Sequence, residues 1–294
     1  MKKLLITGAS GFLGGRAAAM LADRFEISAP RHGEMDITDR DGVRRFFEAV
    51  RPDLVLHCAA MSDVGQCARE PERSQRINVD GSVNVAAAAH ESGAKCLLCS
   101  SDQVYAGTGG IAAHREDEDV TPAPLYGKEK LTAERECLAV NPDCVMMRLT
   151  WMYDVQTVVP GEKSDFFRGL LARMASGERL RFSVHDRRGL TYVGDVVENF
   201  VPAFSIPGGV YNFGSPNIPA AGGPIGRTMA ETVQAAFAIA GLDPDRIACD
   251  GESYRDSPRN LCMDPAKLNA VGIRFPETAE RIGELLKAAG GMLP

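Results

Sequence analysis

Tyr126 and Lys130 stand four residues apart in "YGKEK", the spacing that puts two side chains on one face of a helix. Pro122 and Pro124 lie just upstream, so the helix is predicted to start near Leu125, with Tyr126 in its first turn. A phenol with a pKa of about 10 is a poor acid–base catalyst at neutral pH. A lysine cation and a helix N-terminus each favour the phenolate and lower that value. Further upstream, Ser100 and Ser101 close the apolar run "KCLLCSS". A hydroxyl at the carboxyl end of such a strand faces the crevice of an open α/β sheet and can bind a carbonyl oxygen. The three side chains together point to acid–base chemistry at a carbonyl.

A second pattern lies at the N-terminus, where "LITGASGFLGGR" carries Gly8, Gly11 and Gly14 directly after an apolar run. Strand, glycine-rich turn and helix form a phosphate site, because the first helical N–H groups point outward unpaired. Gly8 permits the tight turn, Gly11 lets a pyrophosphate approach, and Gly14 lets helix and strand pack closely. Phe12 and Leu13, within the turn, are assigned to the same site. The spacing is G-x-x-G-x-x-G, one residue longer than the common dinucleotide fingerprint. The second strand should end at the adenosine ribose, where an acid suits a 2′-hydroxyl and a cation a 2′-phosphate. That strand ends in "APRHG", with no acid and with Arg31, and Arg16 could assist. NADP(H) is therefore the preferred cofactor, with NAD(H) also compatible. Asp36 has the quoted spacing of a ribose acid from the glycines, but it is placed with Ile37 beside the adenine.

The remaining composition narrows the class. The chain has 294 residues, 45% of them apolar, enough for one large α/β domain with extensions or for two domains. A net charge of −6 with scattered basic residues argues against a nucleic-acid partner and for a small anionic one. The eight cysteines fall mostly in apolar runs. Cys96 and Cys99 form a C-x-x-C on a strand, where they point to opposite faces and cannot chelate one ion, so no metal site is expected. A reducing compartment follows. "MKKLLITGASGFLGG" imitates a signal peptide but breaks at Thr7-Gly8, and no apolar run approaches the roughly 18–20 residues of a membrane span. A cytoplasmic protein without a membrane partner is expected.

The elements that must hold these residues alternate. Strands are predicted at 2–7, 25–30, 53–60, in "KCLLCSS" and in "DCVMMRLTW". Helices are predicted between them, including one ending near Val50, a long one over 72–92 and one around 164–176. That alternation means βαβ units and a doubly wound, Rossmann-type parallel sheet of the α/β class. The pattern stops near residue 177. Residues 1–176 are read as the dinucleotide-binding domain. Residues 177–294 are read as mostly a substrate-binding lobe with some segments returning to the sheet, and the cleft receives the substrate. A Gly/Pro-rich stretch occupies 214–227.

These motifs resemble the extended short-chain dehydrogenase/reductase family: "TGASGFLG", "SSDQVYAG", "YGKEK", "MRLTW" and "VYNFGS". Within it the chain is most similar to the dTDP-4-dehydrorhamnose reductases, which read S-T-D-Y-V-F-D-G before Y-G-x-x-K. The tail "PRNLCMDPAKLNAVGI" also looks like theirs. The resemblance implies NAD(P)H-dependent reduction of a 4-keto nucleotide sugar. Tyr126 would donate the proton to the keto oxygen, and Ser101 would hydrogen-bond the same oxygen. Lys130 would bind the nicotinamide ribose and lower the tyrosine pKa. Ala59, Ala60 and Ser62 match positions lining the cofactor. Asp102 joins the substrate site, and Trp151 matches a tryptophan lying against the sugar. Arg187, Arg188 and Arg259 are candidates for the diphosphate.

The chain departs from the pattern at Gln103, where the reductases have Tyr and the dehydratases Glu, and at "HDRRGLT", which leaves the sugar open. A neutral amide cannot serve as the dehydratase base. The alternative readings are an epimerase or dehydratase of the same family, or a non-catalytic NADP-binding regulatory subunit. A homo-oligomer is compatible with the sequence.

Overall fold

The computed structural model describes residues 1–158, 163–219, 223 and 225–290. Leu4, Leu5 and Ile6 are buried on both faces of the strand Lys3–Thr7, as an apolar run without alternation requires in a covered parallel sheet. Six strands form the main sheet, in the order Gly209–Phe213, Val145–Leu149, Lys95–Ser101, Leu54–His57, Lys3–Thr7 and Glu26–Ser28. Lys3–Thr7 pairs in parallel with both of its neighbours, and Leu54–His57 and Val145–Leu149 pair in parallel with Lys95–Ser101. The α/β class with a Rossmann-type parallel sheet is thereby established.

Two compact units divide the chain. The first comprises Met1–Val104, Val120–Leu149 and Val197–Tyr211. On one of its faces Val43 and Phe47 of the helix Arg40–Val50 join Val85 and Ala89 of the helix Gly81–Ser92 over Leu5, Val55 and Leu98. The helical pattern of 72–92 is built as Pro71–Gln75, a π-helical turn Arg76–Asp80 and Gly81–Ser92, and it ends at Gly93 in the left-handed conformation. A short helix not anticipated from the sequence, Val64–Arg69, is capped by the Asp63 side chain on Gln66 N.

The second unit comprises Tyr105–Asp119, Thr150–Val196 and Asn212–Pro294. Its described residues include three parallel two-stranded ladders. Trp151–Tyr153 pairs with Leu190–Tyr192, Leu180–Ser183 with Ile247–Asp250, and Asp186–Arg188 with Arg259–Leu261. The helices Met229–Ala240 and Thr278–Ala289 pack closely, because Gly283 leaves room for Ile239, which lies only 2.6 Å from where a Cβ would stand. Of the Gly/Pro-rich stretch at 214–227, residues 220–222 and 224 lie outside the described residues. Among the described residues no helix is long and apolar enough to cross a membrane, and no group of His, Cys, Asp and Glu could hold a metal ion.

Candidate active site

The glycine turn is defined by what it excludes. Gly8 has φ +69°, and a Cβ there would lie 2.6 Å from Ala59 N and 2.8 Å from the Cys58 carbonyl carbon. A Cβ on Gly14 would lie 2.4 Å from Gly8 O, so the helix Phe12–Met20 rests directly on the turn. Gly11 is different: it is the N-cap in extended conformation, its N–H donates to Gly8 O, and a Cβ would meet only that oxygen, at 3.3 Å. Backbone therefore faces open space at Gly11, while Gly8 and Gly14 serve close packing.

A groove of about 950 Å³ opens there, within the first unit. It brings together Gly8, Gly11, Arg31, Asp36, Ile37, Ala59 and Ala60 of the sequence-predicted residues. Phe12, Leu13, Gly14, Ser62, Tyr126 and Lys130 are not among the residues lining it. Leu13 and Gly14 are buried behind the turn and Ser62 is exposed. Arg16 is buried, with its guanidinium 3.9 Å from the Phe12 ring centre and a hydrogen bond to Phe12 O. Arg73 and Arg76 line the groove too, adding two cations to Arg31. Sequence reasoning missed them, since nothing local tells a helical arginine that it faces a groove.

Two features of the groove rim depend on folding. The strand end has no acid in sequence, but the turn brings Glu34 back, and its carboxylate accepts from Arg31 N at 2.7 Å. Asp36 accepts from Thr38 N at 2.9 Å and Thr38 Oγ1 at 2.8 Å. Burial opposes its ionisation, but those two bonds, with His32 and Arg76 nearby, hold it below the usual carboxylate range.

A buried chain of hydrogen bonds supports the opposite wall. Ala59 N donates to Thr7 Oγ1 at 3.2 Å, and Thr7 Oγ1 lies 2.8 Å from His57 Nδ1. His57 Nε2 lies 3.2 Å from Ser82 Oγ, which donates to Asn78 O. Each hydroxyl has one proton, so this chain assigns the acceptor to Nδ1 and the proton to Nε2. His57 is neutral: burial and then the Lys130 charge lower its pKa from 6.5 to about 3. The Asn78 side chain accepts from Met61 N and donates to Met61 O, which fixes the same wall one residue beyond Ala60.

Ser101, Tyr126 and Lys130 are brought together at the end of the strand Lys95–Ser101. The helix Leu125–Val140 begins after Pro124, and Gly127 lets it meet the following turn: a Cβ there would lie 2.3 Å from Gln103 O. That glycine is a signal the motif contained and sequence reasoning did not use. Glu134 of the same helix takes a two-pronged bond from buried Arg148 and another from Ser100 Oγ, which fixes the helix on the sheet. Lys130 is 3% exposed and its Nζ donates to Cys99 O at 2.9 Å. The Ser101 hydroxyl donates to Asp102 Oδ1 at 3.3 Å and accepts from Gln103 N at 3.2 Å. Gln103 Nε2 donates to Asp102 as well.

The tyrosine departs from expectation. Burial, then the Asp102 charge, raise its pKa, while the nearby Ser101 hydroxyl pulls the other way. Lys130 stands 5.6 Å from the ring centre and is itself held below its ordinary value by burial. The expected lowering by the lysine is therefore not what this chain produces, because a phenolate here has lost its water and faces a carboxylate. The phenol keeps its proton.

Within the second unit Trp151 is 44% exposed and lines a separate groove of about 460 Å³, with Arg181, Tyr254 and Arg259. Arg259 gives both guanidinium prongs to Asp186, at 2.8 and 2.6 Å, and lies over the Tyr254 ring. Arg188 is buried with its guanidinium 5.0 Å from the Trp151 ring centre. Arg187 bonds Gly226 O and lies 3.7 Å from Glu231. Neither Arg187 nor Arg188 is among the groove's lining residues.

A parallel sheet with a glycine turn resting on its first crossover, and a buried Ser–Tyr–Lys set beside it, define the class: an extended short-chain dehydrogenase/reductase. Residues 1–205 match the RmlD substrate binding domain family, and the chain belongs to it. It is 31% identical over 262 residues to a dTDP-4-dehydrorhamnose reductase of Mycolicibacterium smegmatis, covering 88% of this chain and 76% of that one. It is also 31% identical over 292 residues to the spore coat polysaccharide biosynthesis protein SpsK of Bacillus subtilis, covering 98% of each. Among solved structures, the dTDP-4-dehydrorhamnose reductase of Bacillus anthracis in complex with NADP superposes with a TM-score of 0.79 at 22% identity, over 97% of each chain, a likeness of fold.

Proposed function

We propose that the protein reduces the keto group of a 4-keto nucleotide sugar with NADPH, as a dTDP-4-dehydrorhamnose reductase does. The carrying observation is the Ser101–Tyr126–Lys130 set, with a phenol kept in its proton-bearing form. The groove at Gly11, with Arg31, Arg73 and Arg76 along it, fits the phosphates of a dinucleotide. The nicotinamide, when bound, supplies the hydride. Tyr126 gives its proton to the keto oxygen and Ser101 donates a hydrogen bond to the same atom. Lys130, anchored on Cys99 O, retains donors for the nicotinamide ribose. Trp151 offers a half-exposed ring to the sugar, and the arginines of the second unit's groove offer guanidinium contacts to a diphosphate. The amide of Gln103 cannot serve as the base that dehydratases carry at this position. A cytoplasmic enzyme is the accompanying reading, supported by eight cysteines that are all free thiols.

NADPH oxidation with dTDP-4-dehydrorhamnose and other keto-sugars tests this. Steady consumption of one cofactor per product is expected, and it separates an enzyme from a regulatory subunit. Tyr126→Phe should bind NADPH as the parent does and turn over roughly 10²–10⁴ times more slowly. Turnover close to the parent's would remove Tyr126 from the mechanism.

A further inference from the structure

Cys58 and Cys99 sit on neighbouring strands at the same level. Leu54–His57 and Lys95–Ser101 run parallel with His57 opposite Leu98, and the register carries on to place Cys58 beside Cys99. Cys58 N still donates to Thr7 O at 3.3 Å, so this residue is held between two strands although the ladder has formally ended. Adjacent strands lie about 4.7–4.9 Å apart, inside the Cα separation of about 4.4–6.8 Å that a disulfide spans. The two Sγ atoms are 3.7 Å apart, with a thiol hydrogen bond between them. Both residues are half-buried, whereas Cys67, Cys96, Cys137, Cys144 and Cys262 are buried. Cys58 lines the groove of the glycine turn, which gives a small oxidant a route to this residue.

We propose that Cys58 and Cys99 form an oxidation site at which a peroxide joins the two thiols as a reversible disulfide, displacing a wall of the cofactor groove. The Cys58 sulfur, having released its proton to water, attacks one peroxide oxygen. The O–O bond breaks, and hydroxide leaves. The Cys99 thiol then displaces the oxygen from the resulting sulfenic acid as water. Two thiols lose two electrons and one peroxide becomes two waters. The Cys99 hydrogen bond and burial push the Cys58 thiol well up, so the reaction is slow and needs peroxide in excess.

Bond formation brings the sulfurs together by about 1.7 Å, since a disulfide is about 2.0 Å long. Cys58 stands between the strands Lys3–Thr7 and Lys95–Ser101, so the bond draws it towards Cys99 and away from the glycine turn. Lys130 hangs on Cys99 O. A shift of these atoms moves the groove wall and the lysine anchor together. This effect on the groove rests on the function proposed above; the oxidation site does not.

The test uses the full chain carrying Cys249→Ser, which removes the exposed thiol. The protein is treated with hydrogen peroxide, alkylated, digested without reductant and analysed by mass spectrometry. A peptide pair linked through Cys58 and Cys99 is expected, lost on dithiothreitol treatment and absent from Cys99→Ala. Recovery of both as alkylated thiols, or as separate sulfinic acids, overturns the site. NADPH titration of the linked protein should show binding at least about tenfold weaker, the scale expected when positioned groups move by about 1 Å, and restored by reductant. Unchanged binding overturns the displacement of the groove wall. If reduced protein fails to bind NADPH, the cofactor reading and the effect on the groove fall together while the linked peptide still stands.

Discussion

Gly8 and Gly11 belong to one motif, yet the structure gives their methyl substitutions opposite consequences. Gly8→Ala places a Cβ at φ +69° within 2.6–2.8 Å of three backbone atoms of Cys58 and Ala59. The left-handed conformation costs an alanine about 1–2 kcal/mol. Forcing the two segments apart adds about 1–3 kcal/mol, the usual scale of overpacking, and backbone atoms cannot rotate away. The sum is about 2–5 kcal/mol, a large part of a domain's net stability. Gly11→Ala adds a methyl at an extended residue that meets only Gly8 O, at 3.3 Å. Its stability cost should stay within about 1 kcal/mol, the alanine penalty at an N-cap. The methyl nevertheless stands on the open face proposed for the pyrophosphate. Urea unfolding and NADPH titration of both variants separate the two effects. Gly8→Ala should shift the unfolding midpoint clearly downward. Gly11→Ala should unfold near the parent while losing cofactor affinity. A Gly8→Ala protein as stable as the parent would refute the reasoning from close packing, and a Gly11→Ala protein that binds normally would move the phosphates elsewhere.

Arg31→Ala should weaken NADPH binding by about tenfold and hardly touch NADH, the lower end of a charge-assisted bond because Glu34 stands beside it and solvent screens it; equal losses in paired titrations would refute the 2′-phosphate role. Folded His57 has its pKa near 3 against 6.5 for the free side chain, so the unfolded chain takes up the proton first. Stability should therefore fall as pH drops from about 6.5 towards 3, and His57→Gln should lack that share of the slope in acid-unfolding curves. Arg148→Met leaves buried Glu134 without its guanidinium and should cost about 3–5 kcal/mol by urea unfolding, with much of the loss recovered when Glu134→Leu is added.

Local spacing carried the parts of this protein that are set within a few residues. A strand running into glycines and then a helix is written in adjacent positions, and so is the start of Leu125–Val140 behind its prolines with Tyr126 in the first turn. Ser101 at a strand end follows from the same kind of reading, because the crevice of a parallel sheet lies at the carboxyl ends of its strands. What the fold alone decided is set through space. The Tyr126 proton is held by burial and by Asp102, neither visible in Y-x-x-x-K. Glu34 reaches Arg31 only because a turn reverses the chain, and Arg73 and Arg76 face the groove only because their helices dock beside it. Thr7, His57 and Ser82 meet across three separate elements, and Cys58 meets Cys99 through strand register over 41 positions of sequence. Contact likewise decides that 105–119 and 150–176 join the second unit. Periodicity reports which face of an element is apolar. Which face of another element it meets depends on crossovers and register, which are fixed only when the sheet is assembled.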